Sequence, residues 1–260
     1  MRTICSARSS TRLRELVPAV LLALFVASFG AAPRAQALST ISFDDLGSVA
    51  GQVVTGVPGV AIVADNFARS FDIAALIDTA GWGQPASTTP KDPSPWVGGN
   101  LVGAELGLAL ILQNNTEGCD DGVCDRPDDE GAQPAGTLRL LFSTPVSSVG
   151  FDLIGVSLDK GEYGWVTLTD VNGASATVQF ATLLAALVSG NDTANRIAPL
   201  LASAYGLGPI DEVLFKLNGS GALDNVSYAA RPEPATALCL GLGLALLGSR
   251  RRRTSAAPRG

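Results

Sequence analysis

A run of thirteen apolar and small residues, Ala235 to Leu247, lies between Pro232-Glu233-Pro234 and four arginines, Arg250, Arg251, Arg252 and Arg253. It fixes where a folded domain in this chain has to stop. As a helix the run reaches only about 20 Å, against roughly 30 Å of bilayer hydrocarbon. Prolines before it and arginines after it prevent it from growing. A segment this short is expected to be a transient membrane insertion, with the arginines cytoplasmic and everything before Pro232 on the far side. The other end makes the same demand. Arg2, Arg8, Arg12 and Arg14 form a basic region, Leu16 to Phe29 is apolar apart from Pro18, and Ala35-Gln36-Ala37 offers a small-x-small cleavage site. The alternative for either end is an ordinary membrane helix. Two separate segments with one topology predict export, with a signal peptide over 1–37, an extracellular domain over 38–230 and a sorting tail over 231–260.

Pro232-Glu233-Pro234-Ala235-Thr236, the Leu/Gly-rich stretch from Leu238 to Gly248 and the arginine cluster occur in that order at the chain terminus. In this respect the tail resembles the PEP-CTERM sorting signal of Gram-negative bacteria. The resemblance covers about thirty residues. It implies recognition by an exosortase, cleavage near Pro232-Glu233-Pro234, an inner-membrane precursor, and delivery to the cell surface or extracellular matrix. Proteins carrying this signal are associated with exopolysaccharide and biofilm. Signal peptidase and exosortase are therefore the expected processing partners, and extracellular polysaccharide the expected lasting one.

Removing both ends changes what the composition means. About 200 residues remain, enough for one domain with a core. Residues 38–234 hold eight basic and 23 acidic side chains, a net charge of −15, where the whole chain carries −6. Such a surface repels nucleic acid and anionic lipid and suits divalent cations and neutral sugars. Plain solubility outside the cell explains it equally well. The chain has no histidine, which removes Ser-His-Asp and Cys-His catalysis and the usual zinc ligand. Paired carboxylates are the hydrolytic chemistry left, and with 23 acidic residues nothing in the sequence selects a pair. No catalytic residue is assigned, and the protein is expected not to be an enzyme. Cys5 and Cys239 leave with the two ends. Cys119 and Cys124 remain in an exported chain and are expected to form a disulfide, worth about 2 kcal/mol for so small a ring.

The central region reads as strands. Thr40–Phe43, Val166–Thr169 and Ala176–Phe180 alternate polar and apolar residues, and Val171-Asn172-Gly173-Ala174 has the Asn-Gly of a tight hairpin turn. Further strands are predicted at Val60–Ala64, Leu108–Leu112, Leu138–Phe142, Val149–Ile154, Glu212–Leu217 and Leu223–Tyr228. Trp82 to Trp96, with four prolines, reads as an irregular loop. Ala181 to Gly206 reads as helical through Leu183–Val188 and Ile197–Leu201. Many strands without regular intervening helices predict a mainly β domain, a β-sandwich or jelly roll, between a signal helix and a short apolar C-terminal helix. Ser42-Phe43-Asp44-Asp45-Leu46, Arg126–Gly131 and Gly219–Val226 resemble segments of the extracellular jelly rolls that precede such tails.

Two groups of carboxylates are candidates for a structural calcium ion. Glu117 to Glu130 packs seven acidic residues, among them Asp128, Asp129 and Glu130, against one arginine; a hard cation would relieve their repulsion. No EF-hand register fits, and a solvated loop is the alternative. In many carbohydrate-binding jelly rolls an Asp of the final strand ligates calcium beside the first strand. Asp224 stands in that kind of position, with Asp44 and Asp45 near the start; an ordinary turn at Asp224-Asn225 is the alternative. Trp82, Trp96 and Tyr163 offer surfaces for sugar stacking, while Trp165 is expected in the core. The sequence thus predicts a structural or adhesive surface protein, with a calcium-stabilised carbohydrate-binding module as the alternative and a glycoside-active enzyme behind both.

Overall fold

Alternating side chains and frequent Gly, Asn and Asp punctuation produce strands almost throughout. The computed structural model describes residues 38–46, 48–79, 96 and 98–230. The predicted signal peptide, the sorting tail and Trp82 lie outside these. The strands are β1 (Leu38–Ile41), β2 (Gly56–Val57), β3 (Val60–Asn66), β4 (Ala74–Asp78), β5 (Leu108–Leu112), β6 (Gly136–Ile154), β7 (Trp165–Asp170), β8 (Ser175–Gln179), β9 (Ala194–Leu201), β10 (Ile210–Leu217) and β11 (Ala222–Ala230). All pair antiparallel within one sheet. The domain is mainly β, as its sequence predicts, and its sheet is curled. Among the described residues no helix is long and apolar enough to cross a membrane.

The curl is made by β6. Its first half pairs with β3 and β10, with β7 and β8 beyond β10. Its second half pairs with β9 and β11, with β1, β5 and β4 beyond β11. The sequence reads this strand as two, Leu138–Phe142 and Val149–Ile154. One continuous strand joins them through Pro145, whose missing N–H falls where the β10 register shifts. Apolar side chains of both halves meet inside. Phe151, from the second half, and Phe215 of β10 stand edge to face with centroids 4.8 Å apart, among Leu138, Leu140, Leu153, Val166 and Val226.

The two halves differ on their other faces. The second half is covered by a smaller apolar cluster that includes Trp96, Leu106, Ala109, Ile111 and Ile154. Among the described residues the first half carries no such second cluster and is largely open to solvent, although Thr137 is buried. There Asp65, Thr137, Lys216, Trp165 and Gln179 lie in register across β3, β6, β10, β7 and β8. Val63, Arg139, Leu214, Thr167 and Thr177 form the next row.

Two expectations are corrected. The stretch from Ala181 to Gly206 is helical only in two short turns, Phe180–Leu183 and the 3-10 turn Ala202–Tyr205; Ile197–Leu201 belongs to β9. This apolar run pairs on one side only, with β6, and Pro199 falls at the register shift opposite Gly150, where no ladder hydrogen bond is lost. The tryptophans exchange places. Trp96 is 6% exposed within the second cluster, whereas Trp165 is only partly buried, on the open face. The Asn-Gly turn forms as read: Asp170 accepts hydrogen bonds from the backbone N–H of Asn172 and Ala174, and Gly173 has φ +82°.

The contact between Phe151 and Phe215 ties the two halves together. Phe151→Ala is expected to cost about 3–5 kcal/mol, to be read from urea unfolding followed by far-UV circular dichroism.

Candidate functional site

Antiparallel register brings three ionisable residues side by side on the outer face of the second half. Arg196 of β9 lies opposite Asp152 of β6, and Asp152 opposite Asp224 of β11. Arg196 donates from Nε to Asp152 Oδ1 and from Nη2 to Oδ2, both at 2.9 Å. Asp152 is completely buried, while the arginine side chain is 58% exposed. The hydrogen bond to Asp152, more than burial, sets the guanidinium, whose pKa is raised.

Asn225 completes the group. A register shift follows Asp224, and Asn225 sits at φ +46°, in the left-handed region that few residues other than glycine enter. From there its Nδ2 donates to Asp152 Oδ2 at 2.9 Å and to Asp224 Oδ2 at 2.8 Å. A single amide therefore bridges two carboxylates. Asn is among the few residues other than glycine that tolerate this backbone, and the register shift aims its amide at both carboxylates.

Asp224 is the unusual member. It is fully buried, and among the described residues its Oδ1 has no hydrogen-bond partner. Burial pushes its pKa up to about 8; Asp152 and Asp44 push the same way, and Arg196 opposes them. At neutral pH the carboxyl either keeps a proton or requires a cation. Asp44 arrives from the first strand, because β1 pairs with β11. It lies in the 3-10 turn Asp44–Leu46 and accepts a hydrogen bond from Leu108 N at 2.8 Å. Gly107, at φ +60°, leaves room for it: a Cβ there would fall 2.3 Å from both Asp44 carboxylate oxygens. Asp45 is exposed.

Above this row opens a cleft of about 690 Å³ whose lining includes Thr40, Asn100, Asp152, Arg196, Asn225 and Ser227 beside Leu101, Phe151 and Pro199. Asn100 secures one wall, donating to Arg196 O at 3.0 Å and accepting from Arg196 N at 2.6 Å. Walls of mixed apolar and hydroxyl or amide character over a charged floor suit a small polar ligand.

The acidic insert does not gather its carboxylates. Glu130 is buried and takes Arg69 Nε at 2.6 Å; Asp128 accepts from Asn114 Nδ2 at 2.9 Å; Asp129 accepts from Gly221 N at 3.0 Å. Glu117 pairs with Arg126 at 2.9 Å. Burial nevertheless raises Asp129 to about 6. Cys119 and Cys124 are disulfide-bonded within this loop. These residues thus bind parts of the fold to one another and do not fit a shared cation. Among the described residues no group of three or more Cys, Asp or Glu is arranged to hold a metal ion. Asp44 and Asp224 fit better, since the unpartnered oxygen of Asp224 is a ligand atom without a partner. Two carboxylates fall short of the six to eight oxygens calcium takes, so backbone carbonyls and water would supply the rest.

Asp152, Arg196, Asn100 and Asn225 escape sequence reading because β pairing, not spacing, assembles them. One signal was present: a charged residue interrupting the apolar run Val149–Ile154. No family model matches the chain, and no curated protein matches it.

The raised pKa of Asp224 has a definite sign. The folded state holds a proton that the unfolded chain releases, so stability falls as pH rises from about 4 to about 8. In chelator, the melting midpoint is expected to drop across that window, and Asp224→Asn to flatten the drop. Arg196→Ala leaves Asp152 buried without its main partner and is expected to cost about 3 kcal/mol, measurable by chemical denaturation.

Proposed function

We propose that this chain is an exported protein of the cell surface or extracellular matrix. In this reading its tail is sorted by an exosortase, and its domain, a β-sandwich of the jelly-roll kind, has a structural or adhesive role in association with extracellular polysaccharide. The sequence of the tail, Pro232-Glu233-Pro234 followed by the apolar run and the arginines, supports the sorting. The curled sheet, whose two halves face each other across Phe151 and Phe215, supports the sandwich.

The observation that carries binding over chemistry is the state of Asp152. Both its oxygens are held, by Arg196 and Asn225, so it is a fixed strut beneath the cleft. Its neighbour Asp224 is enclosed. Carboxylates engaged in this way support a binding role over proton transfer.

A calcium-stabilised carbohydrate-binding module is the second reading, favoured by the unpartnered Asp224 Oδ1 beside Asp44. Asp224 and Asp44 would hold the ion, which would replace the proton on Asp224 and join the first strand to the last.

Replacing Pro232, Glu233 and Pro234 with alanine is expected to leave the precursor in the inner membrane, as seen by fractionation and immunoblotting; normal release would overturn the sorting proposal. For the metal, calcium at a hundredfold excess over its Kd should add about 2.7 kcal/mol and raise Tm relative to chelator. Asp224→Asn should abolish that rise. An unchanged Tm in the unaltered protein would dismiss the calcium reading.

A further inference from the structure

The open face of β3, β6, β10, β7 and β8 is not an ordinary solvated surface. Lys216 projects from the middle strand, with Nζ 3.7 Å from the centroid of Phe67 and 5.9 Å from that of Trp165. The lysine therefore stands between two aromatic rings drawn from opposite sides of β10. Phe67, just beyond the end of β3, is 48% exposed. Burial lowers the Lys216 pKa, and Asp65 opposes that shift. Beside Trp165 the row ends in the exposed amide of Gln179, and the next row ends in Thr167 and Thr177, whose hydroxyls lie 2.9 Å apart.

The charge on this face sets it apart from the rest of the domain. Asp65 balances Lys216, and Arg139 lies 3.5 Å from Glu212. Four charged residues thus cancel on a domain whose net charge is −15. A polyanion is repelled by the molecule as a whole and finds no uncompensated cation here. A nucleic acid is disfavoured on the same ground. An uncharged chain meets no such penalty. Its apolar ring faces can lie on Phe67 and Trp165, which are held apart by a lysine, and its hydroxyls can exchange hydrogen bonds with Thr167, Thr177 and Gln179.

We propose that this face binds a neutral polysaccharide, the chain running across the strands over Phe67, Lys216 and Trp165 toward Gln179. The proposal rests on the reading that the protein associates with extracellular polysaccharide, and it names the face and the class of polymer. Phe67, 48% exposed, and the partly buried Trp165 are the anchors, with the Lys216 ammonium between them. The cleft above Asp152 lies on the other half of the sheet and is not part of this surface.

The test is affinity electrophoresis of the full chain in mild detergent, through gels containing dextran, amylose, β-1,3-glucan or hydroxyethyl cellulose, with alginate as the anionic comparison. At least one neutral glucan should retard the unaltered protein, and alginate should not. Phe67→Ala and Trp165→Ala should each weaken retardation roughly fivefold to tenfold, equivalent to about 1–1.4 kcal/mol per ring. Tyr205→Ala, at a 38% exposed aromatic residue just beyond β9, should leave it unchanged. Phe67 lies in an exposed segment, so Phe67→Ala reports on binding even if Trp165→Ala lowers Tm. If no glucan and no alginate retards the protein, association with polysaccharide fails, and this inference with it. If a glucan binds the unaltered protein and both aromatic variants equally, association stands and the proposed face is wrong. Stronger retardation by alginate overturns the neutral class.

Discussion

Strand β6 is the constraint on which the rest of the structure depends. Nineteen consecutive residues hydrogen-bond to β3 and β10 in one half and to β9 and β11 in the other. Because side chains alternate along a strand, one continuous strand sets which residues face the core in both halves at once. Phe151 and Leu153 turn inward, and Asp152 therefore turns outward. A one-residue slip would put Asp152 into the apolar core, away from Arg196 and Asn225, and Phe151 into the charged row. The bend near Pro145 curls the sheet, so Phe151 meets Phe215 and a single core forms.

The same alternation explains why the two outer faces behave differently. Over the second half, Trp96, Leu106 and their neighbours cover the sheet, so the charged row Arg196–Asp152–Asp224 lies in a medium that screens poorly. Charge there has to be settled locally. Arg196 and Asn225 settle that of Asp152, while Asp224 keeps one oxygen without a partner. Over the first half no described residue forms a second layer on the sheet, and the side chains are those tolerated in water: threonines, a compensated ion pair and an aromatic pair around one lysine. Buried polarity on one side and exposed aromaticity on the other are two consequences of covering a sheet on part of its outer surface only.

Much of the fold was legible in the sequence where local pattern decides. Val166–Thr169 and Ala176–Phe180 alternate cleanly, and Asn172-Gly173 lies between them; the hairpin follows from residues that touch each other in sequence. Ile197–Leu201 was not legible, because an apolar run containing a proline fits a helix end as well as an edge strand; only the presence of β6 beside it decides. Trp96 and Trp165 show the same limit. A proline-rich neighbourhood says nothing of what later packs on it, and strand alternation puts Trp165 on one face without saying whether that face is covered.

The sequence by itself determined that the middle of this chain would be strand-rich, strongly acidic and without imidazole chemistry, because composition and two-residue periodicity act residue by residue. It also singled out Asp44 and Asp224 as charged residues near the two ends of the domain. Only the tertiary structure decided that Asp224 would share an amide with Asp152, and that the acidic insert would spend its carboxylates on Arg69, Asn114 and Gly221. The physical reason is register. Which residues of distant strands stand opposite one another depends on the whole set of backbone hydrogen bonds, and no short stretch of chain carries that information.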